Sequence, residues 1–209
     1  ALPNYLSALE NFNDGNVEQA LAEIKAANQK PGYSSFDLDR RQSREEMFLL
    51  SGYSPVEAKQ KGVESIESSS LARMKALAVK LSELQQSYQA AGDENSANQT
   101  AAMTIQAAHQ LERGSSTTVA DMVQYAMENI TLRNLDANTY YDFLGKTAGE
   151  RMQELKDKRK ESHDLIKATQ FSYYGLTDSE KLIYWDRLKL YGELNTMKWL
   201  QQNYGTVKP

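Results

Sequence analysis

The sequence predicts an all-α protein: antiparallel helical hairpins stacked on one another, with longer C-terminal helices packed on or capping the stack. Three observations lead there. Apolar residues recur at helical spacing in nearly every segment, and turn residues or capping boxes separate the segments. No segment alternates apolar and polar residues with the period of two that a half-buried strand requires.

The organising stretch runs from Leu71 to Leu111. Leu77, Leu81, Leu84 and Tyr88 mark one apolar stripe, Gly92-Asp93 breaks the pattern, and Ala97, Ala101, Ile105, Ala108 and Leu111 mark the next. Two striped helices joined by a turn cannot hide both stripes alone, so further helices must cover them. Asn4 to Asn28 repeats the arrangement: Tyr5, Ala8, Leu9 and Phe12, then the turn Asp14-Gly15-Asn16, then Val17, Ala20, Leu21, Ile24 and Ala27. Pro31-Gly32 ends that second helix. A polar helix with Met47, Phe48, Leu49 and Leu50 at its end fills Phe36 to Gly52, and Ser54-Pro55-Val56-Glu57 starts another that continues to about Ile66. Glu67-Ser68-Ser69-Ser70 is read as a break before the organising hairpin.

Gly114 to Thr118 is the most linker-like piece of the chain, and it marks the one candidate boundary in what otherwise reads as a single domain over 1–209, with 1–113 and 119–209 as the alternative division. A compact helix follows from Val119 to Leu132. The pattern then predicts one long helix from about Thr139 to Gln170, about 48 Å of it, and a last helix from Thr177 through Trp185, Leu188 and Leu194 to Leu200, opened by the capping box Thr177-Asp178-Ser179-Glu180.

Composition narrows the function classes. With 209 residues the chain can bury one substantial core. Its 24 basic and 28 acidic residues give a net charge of -4 with no dominating basic block, which argues against nucleic acid as a partner. The run Lys156 to Glu161 mixes signs and reads as a solvated helix face, with a docking patch as the alternative. There is no cysteine, so disulfides, thiolate catalysis and cysteine-ligated metals fall away. No apolar run approaches a membrane span. The chain starts at Ala1 rather than Met, for which export followed by cleavage is one explanation and the choice of where the sequence was cut another. The expectation is a bacterial protein, with a periplasmic or secreted place slightly favoured over a cytoplasmic one.

Two stretches resemble tetratricopeptide repeats. Ala8, Phe12, Gly15, Ala20, Ile24 and Ala27, with Pro31 behind them, follow that family's order of small residue, aromatic, glycine turn and close-packing alanines, and Leu81, Leu84, Tyr88, Gly92, Ala97 and Ala101 do so again. Together they cover about a third of the chain. Phe12 sits one place late, Trp is missing at the head of both copies, and Gly15 and Gly92 are 77 residues apart, not a multiple of the repeat's roughly 34. The resemblance implies an irregular solenoid whose first helices form a concave binding surface. On the second copy that surface would carry Ser82, Gln86 and Gln89, polar but uncharged and therefore unsuited to acidic peptide tails.

Catalytic constellations are scarce. His109 and His163 are the only histidines, and neither has a Glu three residues before it, as a helical di-metal site requires. No phosphate loop, nucleophile elbow or zinc-protease helix is present. The expectation is a protein without enzymatic activity, cofactor or metal. The remaining signal is aromatic: 11 of the 19 aromatic residues follow residue 139. Tyr140, Tyr141, Tyr173, Tyr174 and Trp185, with Gln86 and Gln89, are the candidate binding residues, because tyrosine and tryptophan combine apolar area with a polar tip. The leading expectation is a helical protein-interaction or scaffold module binding a protein or peptide. A small-molecule or glycan-binding domain using the C-terminal aromatics, and a self-associating structural protein, are the alternatives.

Overall fold

The computed structural model describes residues 1–33, 37–64, 69–114 and 116–205, with the side chains of Asp37 and Ser69 left aside. The fold is all-α. Ten α-helices lie among the described residues: α1 (Leu2–Asn13), α2 (Val17–Asn28), α3 (Asp37–Leu50), α4 (Pro55–Glu64), α5 (Ser69–Ala90), α6 (Glu94–Gly114), α7 (Thr118–Leu132), α8 (Ala148–Thr169), α9 (Asp178–Tyr191) and α10 (Glu193–Tyr204). None is long and apolar enough to cross a membrane. The chain divides into two compact units, one of Ala1–Ser34, Ser68–Ser115 and Val119–Arg159, the other of Ser35–Glu67, Ser116–Thr118 and Lys160–Pro209.

In the first unit the two expected hairpins form. Gly15 and Gly92 turn at φ of 79° and 75°, a left-handed conformation that glycine adopts without steric cost. α1 packs on α5 and α2 on α6. Tyr5, Leu9, Ile24, Met74, Leu77, Leu81, Leu111 and Met127 bury their side chains in the shared core. Alanines 8, 27, 78, 107 and 108 let the helices approach closely. Polar side chains close the ends: the Tyr5 hydroxyl donates to Asn28 Oδ1 at 2.6 Å, Asn28 donates to the carbonyl of Met103, and Gln110 donates to the carbonyl of Lys30 at 2.7 Å. Gln110 also reaches the carbonyl of Asn28 at 3.4 Å, so the end of α2, where carbonyls lose their intrahelical partners, is tied to α6.

The second unit holds α3, α4, α9, α10 and the end of α8. Ser54 caps α4 and Thr177 caps α9, each in a reciprocal bond with the Glu three residues on, as their capping boxes predict. Ile66 and part of the break at Glu67 to Ser70 lie outside the described residues; α5 has begun by Ser69.

Two expectations are corrected. The long helix does not start at Thr139. Tyr140–Tyr141 and Lys146–Thr147 pair as a small antiparallel hairpin, with Gly145 at φ 66°, and α8 begins only at Ala148. The signal lay in Thr147 and Glu150, which bond reciprocally as a capping box. The last helix is likewise two. Gly192, at φ 83° and ψ 172°, ends α9 and begins α10, and an ideal Cβ on it would stand 2.8 Å from the carbonyl oxygen of Ser116.

Candidate functional site

α7 and α8 of the first unit border a groove of about 660 Å³. Tyr125 and Leu155 lie buried at its floor, and Met122, Ala126, Ile130 and Met152 are half-buried along it. The helical period puts residues 122, 126, 129, 130 and 133 of this stretch, and 152, 155, 156 and 159 of α8, on the sides that meet there. Around this apolar floor stand Lys75 of α5, Arg133 just after α7, and Lys156 and Arg159 of α8, all exposed. No carboxylate lines the groove, and none of the four cations makes an ion pair among the described residues. The neighbouring acids are engaged elsewhere: Glu112 with Lys158, Glu154 with Lys146 and Arg151, and Asp157 with Gln153.

The other side of α7 is held by a buried ionic network. Glu128 is fully buried and accepts from Arg151 twice, Nε to Oε2 at 2.7 Å and Nη2 to Oε1 at 2.8 Å, while Gln124 donates to the same Oε1. His109 Nε2 lies 3.5 Å from Glu128 and 3.4 Å from Arg151. Burial pushes the Glu128 carboxyl up, but the hydrogen bonds of His109 and Arg151 outweigh it and leave it below the usual carboxylate range. Glu128 therefore stays ionised and paired, a poor proton acceptor. Among the described residues, no group of three or more His, Cys, Asp or Glu could hold a metal ion.

The residues expected from sequence fall in both units. In the first, Gln86 and Gln89 are turned onto Asn134, donating to its side-chain and backbone oxygens at 3.0 and 2.7 Å. Ser82, expected to face outward, is buried and accepts from Asn134 at 2.8 Å. This part of α5 receives the turn after α7. Tyr140 is exposed beside a shallow concavity lined by Lys146, Thr147, Glu150, Gln153, Glu154 and Asp157, whose carboxylates are already bonded. Tyr141 is half-buried and accepts from the backbone of Asp136.

In the second unit Tyr173, Tyr184 and Trp185 form a compact ring cluster with centroids 4.9 to 5.4 Å apart, and Trp185 Nε1 donates to the Tyr173 hydroxyl at 3.1 Å. Burial pushes Tyr184 up to about 12. Trp185 is buried and Tyr173 half-buried, whereas Tyr174 is 78% exposed at the edge of the cluster. Phe171 and Tyr191 are exposed in the same unit, and the Arg187 guanidinium lies over the rings of Tyr191 and Trp199.

Protein-family models, curated proteins and solved structures yield no match to this chain. The site has to be read from its own chemistry. Sequence reasoning singles out neither Lys75 nor Arg133, and it reads Lys156 and Arg159 first as part of a solvated mixed-sign face, with a docking patch only as the alternative. The spacing held the signal: positions three apart share a face, which separates them from Asp157 and Lys158.

Proposed function

We propose that this chain is a non-enzymatic protein-interaction module that receives a segment of another polypeptide in the α7–α8 groove. The observation that carries the reading is the concave apolar strip of Met122, Ala126, Ile130 and Met152, half-buried along the groove that α7 and α8 border. Concave apolar surfaces with a few polar groups at the edge are the usual form of a binding site. Two further features support it. The packing of α1 on α5 and α2 on α6 agrees with stacked hairpins of the tetratricopeptide kind, a scaffold that serves binding. Glu128, Arg151 and His109 converge, yet their mutual pairing is that of a structural clamp.

The test is crosslinking with a lysine-reactive reagent in an extract of the source organism, followed by mass spectrometry. A polypeptide joined to Lys75 or Lys156, and lost in Ile130→Asp, is the expected result. Crosslinks that leave both lysines untouched, or that persist in the variant, would overturn the reading.

A further inference from the structure

We propose that the occupant of the α7–α8 groove is an amphipathic helix about three turns long whose apolar stripe is flanked by Asp or Glu side chains. The proposal rests on the reading of the groove as a polypeptide site and specifies the chemistry of its ligand. The floor supplies apolar surface in a strip. Met122 to Arg133 spans twelve residues, eleven helical rises or about 16 Å, the length of a three-turn helix. Two methionines in that floor adapt to differently shaped apolar side chains.

The charges select the flanks. Lys75, Arg133, Lys156 and Arg159 put four cations around one groove in a chain whose net charge is -4, with no acid among the lining residues. Lys156 and Arg159 are three apart on one helix, a like-charge placement that costs stability in isolation and that a carboxylate between them would reverse. Basic residues of this protein are elsewhere commonly paired, as Arg151, Lys158, Lys59 and Lys189 are. Cations that have no ion pair among the described residues, set around an apolar strip, match an acidic amphipathic helix.

The spacing of the cations favours a helix over a fatty acid or other single-headed amphiphile. Arg133 adjoins Asn134, which bonds Ser82 and Gln85 of α5. Lys75 lies seven and ten residues from those two on the same helix, about 10 to 15 Å along its axis. One compact headgroup cannot reach cations that far apart, whereas carboxylates on successive turns can.

The experiment uses the full chain and a set of fluorescein-labelled helical peptides of about 14 residues, each with a Leu stripe in one of several registers and flanked by Glu. Matched peptides carry Gln or Lys in place of Glu. Fluorescence anisotropy is read at low and high salt, beside a competition with sodium oleate. A Glu peptide should bind, its Gln counterpart at least about tenfold more weakly and its Lys counterpart not measurably, with affinity falling as salt rises. Lys156→Glu with Arg159→Glu should abolish binding and Lys25→Glu, outside the groove, should not, with circular dichroism unchanged in both. Equal binding of Glu and Lys peptides, no binding by any Glu peptide, or oleate binding that alone depends on Lys156 and Arg159 would overturn the proposal. In that event, a polypeptide still crosslinked at Lys75 or Lys156 keeps the broader reading, and absence of that crosslink removes both.

Discussion

Arg151 of α8 grips Glu128 of α7 through two nitrogens, Nε and Nη2, at 2.7 and 2.8 Å, with the carboxylate wholly buried. The pair fixes α7 against α8 from behind the groove, so the site depends on it without being part of it. A buried ion pair adds little net stability over a well-packed apolar pair, but removing one partner strands the other charge. Arg151→Ala should therefore destabilise the protein by about 3 to 5 kcal/mol in urea unfolding. Glu128→Leu combined with Arg151→Met should recover most of that loss. A single variant no worse than the double would show that Glu128 finds another partner.

The same carboxylate predicts an acid limb of stability. Burial raises Glu128, but the bonds from His109 and Arg151 win and its folded value lies below the unfolded one. Its contribution is present above the unfolded value of about 4.3 and is lost as pH falls through the lower folded value. Lys59 works at the other end. Burial lowers it, yet hydrogen bonds and charges of Asp186 and Glu45 leave it raised, so its contribution is complete below about 10.4 and disappears as pH rises through the folded value. Unfolding free energy measured across pH should form a plateau between these limbs. Glu128→Leu with Arg151→Met should flatten the acid limb; an unchanged slope would assign that limb to other carboxylates.

Two glycines should respond to alanine for different reasons. Gly92 has open space around its Cβ position but turns at φ 75°, so the cost is backbone strain of about 1 kcal/mol. Gly114 has no positive φ, and an ideal Cβ would overlap the backbone carbonyl of Tyr33. Relief requires moving buried chain rather than a flexible side-chain end, and Gly114→Ala should cost more, about 2 kcal/mol or above. Thermal unfolding of the two variants side by side checks the order, and a smaller loss at Gly114 would mean that the Tyr33 segment yields easily.

These glycines also mark what could be read from sequence. Gly15 and Gly92 sit between apolar stripes, where local spacing alone identifies the turn, and the hairpins follow. Gly114 looked like part of a linker, since nothing local reveals that Tyr33, eighty-one positions earlier, lies against it. The helix from Thr139 failed for a related reason. Tyr140, Leu144 and Ala148 keep helical spacing even though the chain forms a hairpin, and the opposing signals were Gly145 and Gly149, which weaken a helix start, together with the capping pair Thr147 and Glu150. The groove was half legible: Met122 and Ile130 stand at helical spacing with Ala126, and Met152 with Ala148 and Leu155, but such spacing does not say which members of a stripe remain uncovered. That depends on distant helices, as does the pairing of Glu128 with Arg151.

The aromatic cluster of the second unit offers a last test, separating packing from display. Trp185 is buried and its Nε1 has the Tyr173 hydroxyl as acceptor at 3.1 Å, so Tyr173→Phe keeps the ring and removes only that acceptor. A buried donor left unpaired costs about 1 to 3 kcal/mol. Tyr174, by contrast, is 78% exposed and only edges the cluster through Tyr173, so Tyr174→Ala should stay within about 0.5 kcal/mol. Trp199 is the other tryptophan, and a Trp199→Phe background leaves Trp185 as the sole indole reporter. In that background Tyr173→Phe should shift the emission and lower the unfolding midpoint together, whereas Tyr174→Ala should do neither. Equal losses from both would mean that Tyr174 packs more tightly than its exposure implies; no loss from Tyr173→Phe would mean that the Trp185 donor reaches water or another acceptor.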